Sequence, residues 1–72
     1  KASSPDVRLT DRQKDVLLCL ARGLPIKRIC RELKLSEGTV KTHVTAIYRA
    51  FHANNRTQAL IAAQKAGYEI LL

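Results

Sequence analysis

Apolar residues recur every three or four positions along most of this chain, which is the spacing of one face of an α-helix. Four such stripes follow one another, and polar residues fill the other faces. The stripes are Val16, Leu17, Leu20, Ala21 and Leu24; Ile26, Ile29, Cys30 and Leu33; Val40, Val44, Ile47 and Phe51; and Ala59, Ala62, Ala63 and Ala66. This pattern predicts an all-α fold.

Capping residues predict where these helices begin and end. Thr10 is expected to be the N-cap of the first helix, and Gln13, three residues later, completes a capping box. Gly23 suits the end of that helix. The second helix is predicted to open at Pro25. The third is predicted to run from Glu37 to Phe51, after the N-cap Ser36. The fourth is predicted to start near Asn55 and to end at Gly67.

The second and third helices are joined through the tight connection KLSEG, residues 34 to 38. Two helices joined in this way form a helix-turn-helix. The expected architecture is therefore a four-helix bundle-like domain with a central helix-turn-helix. The third helix is predicted to turn short hydroxyl side chains and cations away from its core stripe. These outward residues are Lys41, Thr42, Thr45 and Arg49.

The fourth helix has two weakly apolar faces, and a terminal helix packs only one of them on the core. Small alanines allow close packing to the domain, so Leu60 and Ile61 are expected to stay exposed on the opposite face, flanked by Thr57 and Gln64. The following tail, YEILL, is expected to fold back over the core, and an end created by truncation is the alternative.

Charge narrows the class of partner. With 13 Lys and Arg against 6 Asp and Glu, the 72-residue chain has a formal charge of +7 and a pI near 10.0. This favours a polyanionic partner, with nucleic acid first and an anionic membrane surface second. No apolar run is long enough to cross a bilayer. Residues 1–8 are small, polar and interrupted by Pro5, so they are interpreted as a linker remnant before a domain of residues 9–72.

Both cysteines, Cys19 and Cys30, fall inside apolar helical patterns. They are expected to be small core residues in a reducing cytosol, and a disulfide is the minor alternative. Together with His43 and His52 they lack zinc-finger spacing. Paired carboxylates and glycine-rich phosphate loops are absent from the sequence. Neither an enzyme nor a bound cofactor or metal is expected.

Three stretches resemble, in order and spacing, the C-terminal DNA-binding domain of LuxR-type regulators, a group that includes the NarL/FixJ response regulators. They are LTDRQKDVLLCLARGL, IKRICRELKLSEGTVKTHV and NNRTQAL, which span nearly everything from Leu9 to Leu60. The resemblance implies four helices, major-groove recognition by the third and dimer contacts through the fourth. Departures from the family pattern lie at Gln13, Asp15, Ile26, Arg28 and Cys30. They add positive charge without threatening the fold.

The resemblance and the charge pattern together imply site residues. Lys41, Thr42 and Thr45 occupy the family positions that reach base edges, and short threonine side chains let a helix sit deep in the groove. The expected phosphate contacts come from two groups. The exposed cations are Lys27, Arg28 and Arg49. The family positions used for phosphate contact or for holding the motif are Ser36, Thr39, His43 and Arg56. A packed structural role for His43 is an equal alternative. The expected dimerisation residues are Thr57, Leu60, Ile61 and Gln64.

These residues predict sequence-specific binding of double-stranded DNA to regulate transcription in the cytoplasm. The resemblance implies the C-terminal output domain of a response regulator, acting as a dimer on inverted-repeat sites. Implied partners besides DNA are a second copy of the chain, an upstream regulatory domain and RNA polymerase, but no membrane. Two alternatives stay open. One is the promoter-binding region of a sigma factor, and the other is a basic helical module for protein or membrane surfaces.

Overall fold

Residues 8 to 70 are described by the computed structural model, and within them the chain forms four α-helices and no strand. They are α1 (Asp11–Ala21), α2 (Ile26–Leu33), α3 (Glu37–Ala50) and α4 (Arg56–Lys65). The predicted all-α fold with a central helix-turn-helix is confirmed. The predicted linker lies outside the described residues except for Arg8, and so do Leu71 and Leu72 of the tail.

Side-chain oxygens cap the starts of α1 and α3. Thr10 Oγ1 accepts from the Gln13 N–H at 3.1 Å, and Gln13 Oε1 accepts from the Thr10 N–H at 3.0 Å. The predicted capping box is therefore confirmed. Ser36 Oγ accepts from the Thr39 N–H at 3.2 Å, which confirms the N-cap of α3. Pro25 lies one residue before α2, at the N-cap position, because its ψ of 161° is extended rather than helical.

All four helices of residues 8 to 70 end in the same backbone arrangement. A residue with positive φ follows each helix, and the next N–H donates to a carbonyl five residues back, which is the Schellman closure. The positive-φ residues are Gly23, Lys34, His52 and Gly67, and the bonds run from Leu24 to Cys19, Leu35 to Cys30, Ala53 to Tyr48 and Tyr68 to Ala63. The turn of the helix-turn-helix thus holds Lys34 in a conformation that favours glycine.

Two helices, α1 and α3, form the centre of the core, and each of them packs against the other three helices. Side chains from all four helices are fully buried there, and those at 0% exposure include Val16, Ile29, Val40, Ile47 and Ala63. Because full burial of a valine or isoleucine side chain contributes about 1.5–3 kcal/mol, these contacts fix the orientation of α3 on the domain. The side of α3 opposite the core is thereby held outward.

The segment after α4 folds back onto the core, as predicted, as far as Ile70. Ile70 is 3% exposed, and the Tyr68 ring packs edge-on against Phe51 with centroids 6.0 Å apart. Gln64 Nε2 also donates to the Ile70 carbonyl at 3.0 Å. Phe51 and Val44 were both predicted to face the core, and both are only half-buried. They pack against the edge of the core rather than inside it.

Both cysteines are free thiols. Cys19 is buried in the core, and Cys30 is half-buried against it. Burial raises the pKa of the Cys19 thiol above its usual 9.0, and the nearby Arg22 opposes that shift. Cys19 is therefore a neutral packing residue at physiological pH, in line with its predicted role.

Candidate nucleic-acid interface

The outward side of α3 is polar and separate from the core. Its side chains Lys41, Thr42, Thr45 and Arg49 are all exposed. Together with Ala46 they line one shallow groove on the surface. The structure thus brings the three residues predicted to read bases onto a single face. Base contact by these three residues stays a prediction.

The Thr42 hydroxyl is already engaged with its own helix. It donates to the Gly38 carbonyl at 2.9 Å, one turn earlier. A hydroxyl has one proton, so Thr42 Oγ1 keeps only acceptor capacity toward an external partner. The same bond fixes the side-chain rotamer and thereby the position of the methyl group. Thr42 therefore offers its methyl group and the acceptor capacity of Oγ1 without breaking a bond, but no donor.

The start of α3 carries two linked hydroxyls. Ser36 Oγ donates to Thr39 Oγ1 at 2.9 Å while it accepts from the Thr39 N–H. Ser36 therefore spends its proton inside the cap, which favours a role in holding the motif. Thr39 keeps its own hydroxyl proton, and both residues are exposed. A phosphate contact is chemically open to Thr39 as a donor.

The basic surface of α2 is partly neutralised from within. Lys27, Arg28 and Arg31 are exposed and line one shallow depression. Arg28 Nε lies 4.0 Å from one oxygen of Glu32, whose other oxygen lies 3.6 Å from Arg22. These pairs are exposed and therefore weak. Within residues 8 to 70, Lys27 and Arg31 have no ion pair, so they are the better candidates for phosphate contact.

Two of the predicted phosphate residues are half-buried, Arg56 and His43. Arg56 Nη2 donates to the carbonyl oxygen of Leu24 at 3.1 Å, which ties the start of α4 to the loop before α2. This bond favours a role for Arg56 in holding the motif rather than in phosphate contact. His43 has no hydrogen bond or ion pair among residues 8 to 70, so phosphate contact and a packed structural role both remain open for it. Phosphate contact by either residue stays a prediction.

The predicted exposed pair on α4 is wrong for Leu60. Leu60 is 6% exposed, whereas Ile61 is 40% exposed. Successive helical residues lie about 100° apart, so Leu60 falls beside Ala59 and Ala63 on the buried arc. The larger side chain gains more from burial than alanine does, and the core accepts it. Sequence periodicity alone assigns Leu60 to the face opposite the alanines.

The remaining three predicted dimer residues stay on one exposed stripe. Thr57, Ile61 and Gln64 are exposed and are spaced at i, i+4 and i+7. Gln64 is tied to the Ile70 carbonyl, as described above. Ile61 is therefore the single large apolar side chain on this stripe. Contact with a second copy through it stays a prediction.

The polar surface beside α3 also includes residues that the sequence pattern does not predict to bind DNA. A second groove continues past the end of α3 and is lined by Tyr48, His52, Ala53 and Asn54 in addition to Thr45 and Arg49. His52 reaches this position because its φ of 53° turns the chain at the end of α3. Histidine is tolerated in that conformation, but the sequence carries no distinct signal for it.

Two further properties concern the described part of the chain only. Residues 8 to 70 hold no group of three or more His, Cys, Asp or Glu side chains arranged to bind a metal ion. None of their helices combines the length and apolar character needed to span a bilayer.

The family model described as "Bacterial regulatory proteins, luxR family" matches residues 7–63. The Bacillus subtilis "Transcriptional regulatory protein YdfI" is 39% identical over 67 residues, covering 93% of this chain and 32% of that protein. The Escherichia coli "Putative HTH-type transcriptional regulator YhjB" is 47% identical over 71% of this chain and 26% of its own length. The Escherichia coli "Nitrate/nitrite response regulator protein NarL" is 39% identical over 75% of this chain and 25% of its own length. The chain thus spans about a quarter to a third of each of these relatives.

Proposed function

Because this chain belongs to the luxR family of bacterial regulatory proteins, whose general function is transcription regulation through DNA binding, we propose that it recognises specific DNA sequences through α3. The observation that carries the proposal is the exposed polar face of α3, opposite the side on which Val40 and Ile47 are fully buried. A helix held in this way presents one constant set of side chains to a partner.

The chemistry of that face suits the major groove. The groove is about 12 Å wide and presents hydrogen-bonding groups and thymine methyls to an inserted helix. Thr42 and Thr45 are short enough to let the backbone of α3 approach the bases. Lys41 matches the paired acceptors of guanine or a phosphate oxygen. Lys27, Arg31 and Arg49 supply the cations for the flanking phosphates.

The functional unit is a dimer on an inverted repeat. An isologous two-fold contact needs one patch that meets its own copy, and the stripe of Thr57, Ile61 and Gln64 provides one. The patch is small, so pairing depends on two half-sites holding two copies together. With Leu60 buried, the apolar contact rests on Ile61 alone.

The chain serves as the output part of a longer cytoplasmic regulator. One relative is named a response regulator, and this chain corresponds to about a quarter of it. The proposed further partners are an upstream regulatory domain, which controls access to DNA, and RNA polymerase, which DNA binding would recruit or block. Catalysis is not part of the proposed role.

A binding experiment tests the recognition step. The wild-type chain is used to select duplexes from a random library, and a selected duplex is compared with its scrambled sequence at several salt concentrations. Each phosphate contact should contribute about 0.9 to the slope of log K against log salt. Lys41→Ala and Thr45→Ala should each weaken binding to the selected duplex by about 1–3 kcal/mol, and binding to the scrambled one less.

The matched control is Lys14→Ala, which removes the same charge from an exposed position on α1. It should leave the preference for the selected duplex unchanged. If Lys41→Ala and Lys14→Ala have equal effects on both duplexes, Lys41 does not read sequence. If Thr45→Ala also matches the control, α3 does not read sequence. If binding does not depend on salt, the proposed phosphate contacts are absent.

A further inference from the structure

Gly38 occupies a position where the protein itself does not require glycine. It is the second residue of α3, is exposed, and has ordinary helical backbone geometry. Apart from its two chain neighbours and the adjacent backbone of α3, a Cβ at this position would meet no atom of the described residues within 4 Å. Glycine destabilises a helix relative to alanine because it loses more backbone freedom on folding. Neither a turn nor close packing inside the domain accounts for its presence.

The place of Gly38 on α3 points to a reason outside the domain. One stripe of the helix holds the residues at i, i+4, i+7 and i+11 from residue 38, which are Gly38, Thr42, Thr45 and Arg49. The Gly38 carbonyl accepts the Thr42 hydroxyl, so the two residues are also directly bonded. The missing side chain therefore lies at the N-terminal end of the proposed base-reading face.

We propose that Gly38 is the point of closest approach between α3 and DNA, and that its missing Cβ sets how deeply the helix enters the major groove. The inference rests on the proposed function. A helix with its side chains is about 10–12 Å across, close to the width of the groove, so clearance is small. In helix-turn-helix proteins the N-terminal part of the inserted helix meets the base edges. A methyl group at residue 38 would lift that end and pull Lys41 and Thr42 away from the bases.

The test separates protein stability from DNA affinity. Gly38→Ala and Gly38→Leu are measured by thermal unfolding and by binding to one selected half-site duplex of about 20 base pairs, two turns of DNA. Both variants should unfold about 2–6 °C higher than wild type, because alanine and leucine favour helix to a similar degree. Gly38→Ala should nevertheless bind the duplex about tenfold more weakly, and Gly38→Leu should bind more weakly still.

Leu18→Ala is the control, because Leu18 lies on α1, is 47% exposed and has no place in the proposed DNA or dimer contacts. It changes an exposed helical side chain without adding atoms to α3. It should leave affinity for the half-site unchanged. Equal losses for Gly38→Ala and Gly38→Leu would overturn the proposal, because they would indicate lost flexibility rather than a steric limit.

Thr45→Ala distinguishes failure of this inference from failure of the proposed function. If Gly38→Ala binds like wild type while Thr45→Ala loses its preference for the selected duplex, the depth-setting role is wrong and recognition by α3 stands. If both variants bind like wild type, α3 is not the reading helix, and both proposals fail together.

Discussion

The guanidinium of Arg56, at the first position of α4, donates a hydrogen bond from Nη2 to the main-chain carbonyl oxygen of Leu24 at 3.1 Å. Leu24 directly precedes Pro25, the N-cap of α2. The bond therefore links two segments 32 residues apart and braces the start of the helix-turn-helix against α4. A half-buried bond from a charged donor is among the stronger hydrogen bonds of a folded domain.

Arg56→Gln is expected to lower the free energy of unfolding by about 1–3 kcal/mol, because the half-buried carbonyl of Leu24 loses its charged partner. Urea denaturation at one salt concentration measures this. Arg49→Gln is the matched control, since Arg49 is exposed and has no hydrogen bond or ion pair within residues 8 to 70. It should leave stability unchanged and flatten the salt dependence of DNA binding. If Arg56→Gln flattens the salt dependence of DNA binding without lowering stability, the main role of Arg56 is phosphate contact.

Thr42 is expected to read DNA through its methyl group, because its hydroxyl proton is held by Gly38. Thr42→Ser keeps the hydroxyl and removes the methyl, so it should weaken binding to the selected duplex by about 0.8 kcal/mol, the value of one buried carbon. Thr42→Val keeps a methyl group and should bind almost like wild type.

Replacing thymine with uracil in the selected duplex checks the same contact from the DNA side. Wild type should lose affinity at one thymine position, and Thr42→Ser should lose nothing further there. A larger loss for Thr42→Val than for Thr42→Ser would show that the hydroxyl, not the methyl, carries the recognition.

Ile61→Asp should abolish cooperative binding to an inverted repeat while leaving single half-site affinity and stability near wild type. The reason is that Ile61 is exposed, and a charge there opposes a two-fold contact with its own copy. Leu18→Asp is the control, because Leu18 on α1 is also a large exposed apolar residue, at 47%. Cooperativity that survives Ile61→Asp, or that is lost equally with Leu18→Asp, would place the dimer contact elsewhere.

Leu60→Ala tests whether Leu60 lies on the core side of α4. Because Leu60 is buried, its truncation should lower the free energy of unfolding by about 2–5 kcal/mol, measured by urea denaturation. Ile61→Ala should cost far less. Similar small losses for both variants would mean that Leu60 does not contribute to the core as the structure indicates.

Lys34→Gly should stabilise the domain, because Lys34 has a φ of 57° in the turn of the helix-turn-helix. Relief of this left-handed conformation is worth about 1 kcal/mol, or about 4–8 °C in unfolding temperature for a domain of this size. Lys34→Ala removes the same charge but keeps the Cβ, so it should show no such gain. Equal behaviour of the two variants would attribute any change to charge rather than to backbone conformation.

Much of this fold follows from interactions within one or two turns of helix. The capping box of Thr10 and Gln13 and the cap at Ser36 involve residues three apart, so the sequence specifies them directly. The strong apolar stripe of α3 likewise determines that Val40 and Ile47 are buried. The exposure of Thr45 follows from the same period. These features depend on local geometry, which the order of residues expresses without knowledge of the neighbours.

Tertiary structure decided the features that depend on distant partners. The two faces of α4 are almost equally apolar, so packing against α1 and α3 selected the arc that includes Leu60. The bond from Arg56 to Leu24 and the pairing of Glu32 with Arg22 join residues from different elements. Periodicity reports which residues share a face, but only the docking of that face determines which side chains leave water. The exposed stripe on α4 and the available cations of α2 were therefore settled by packing.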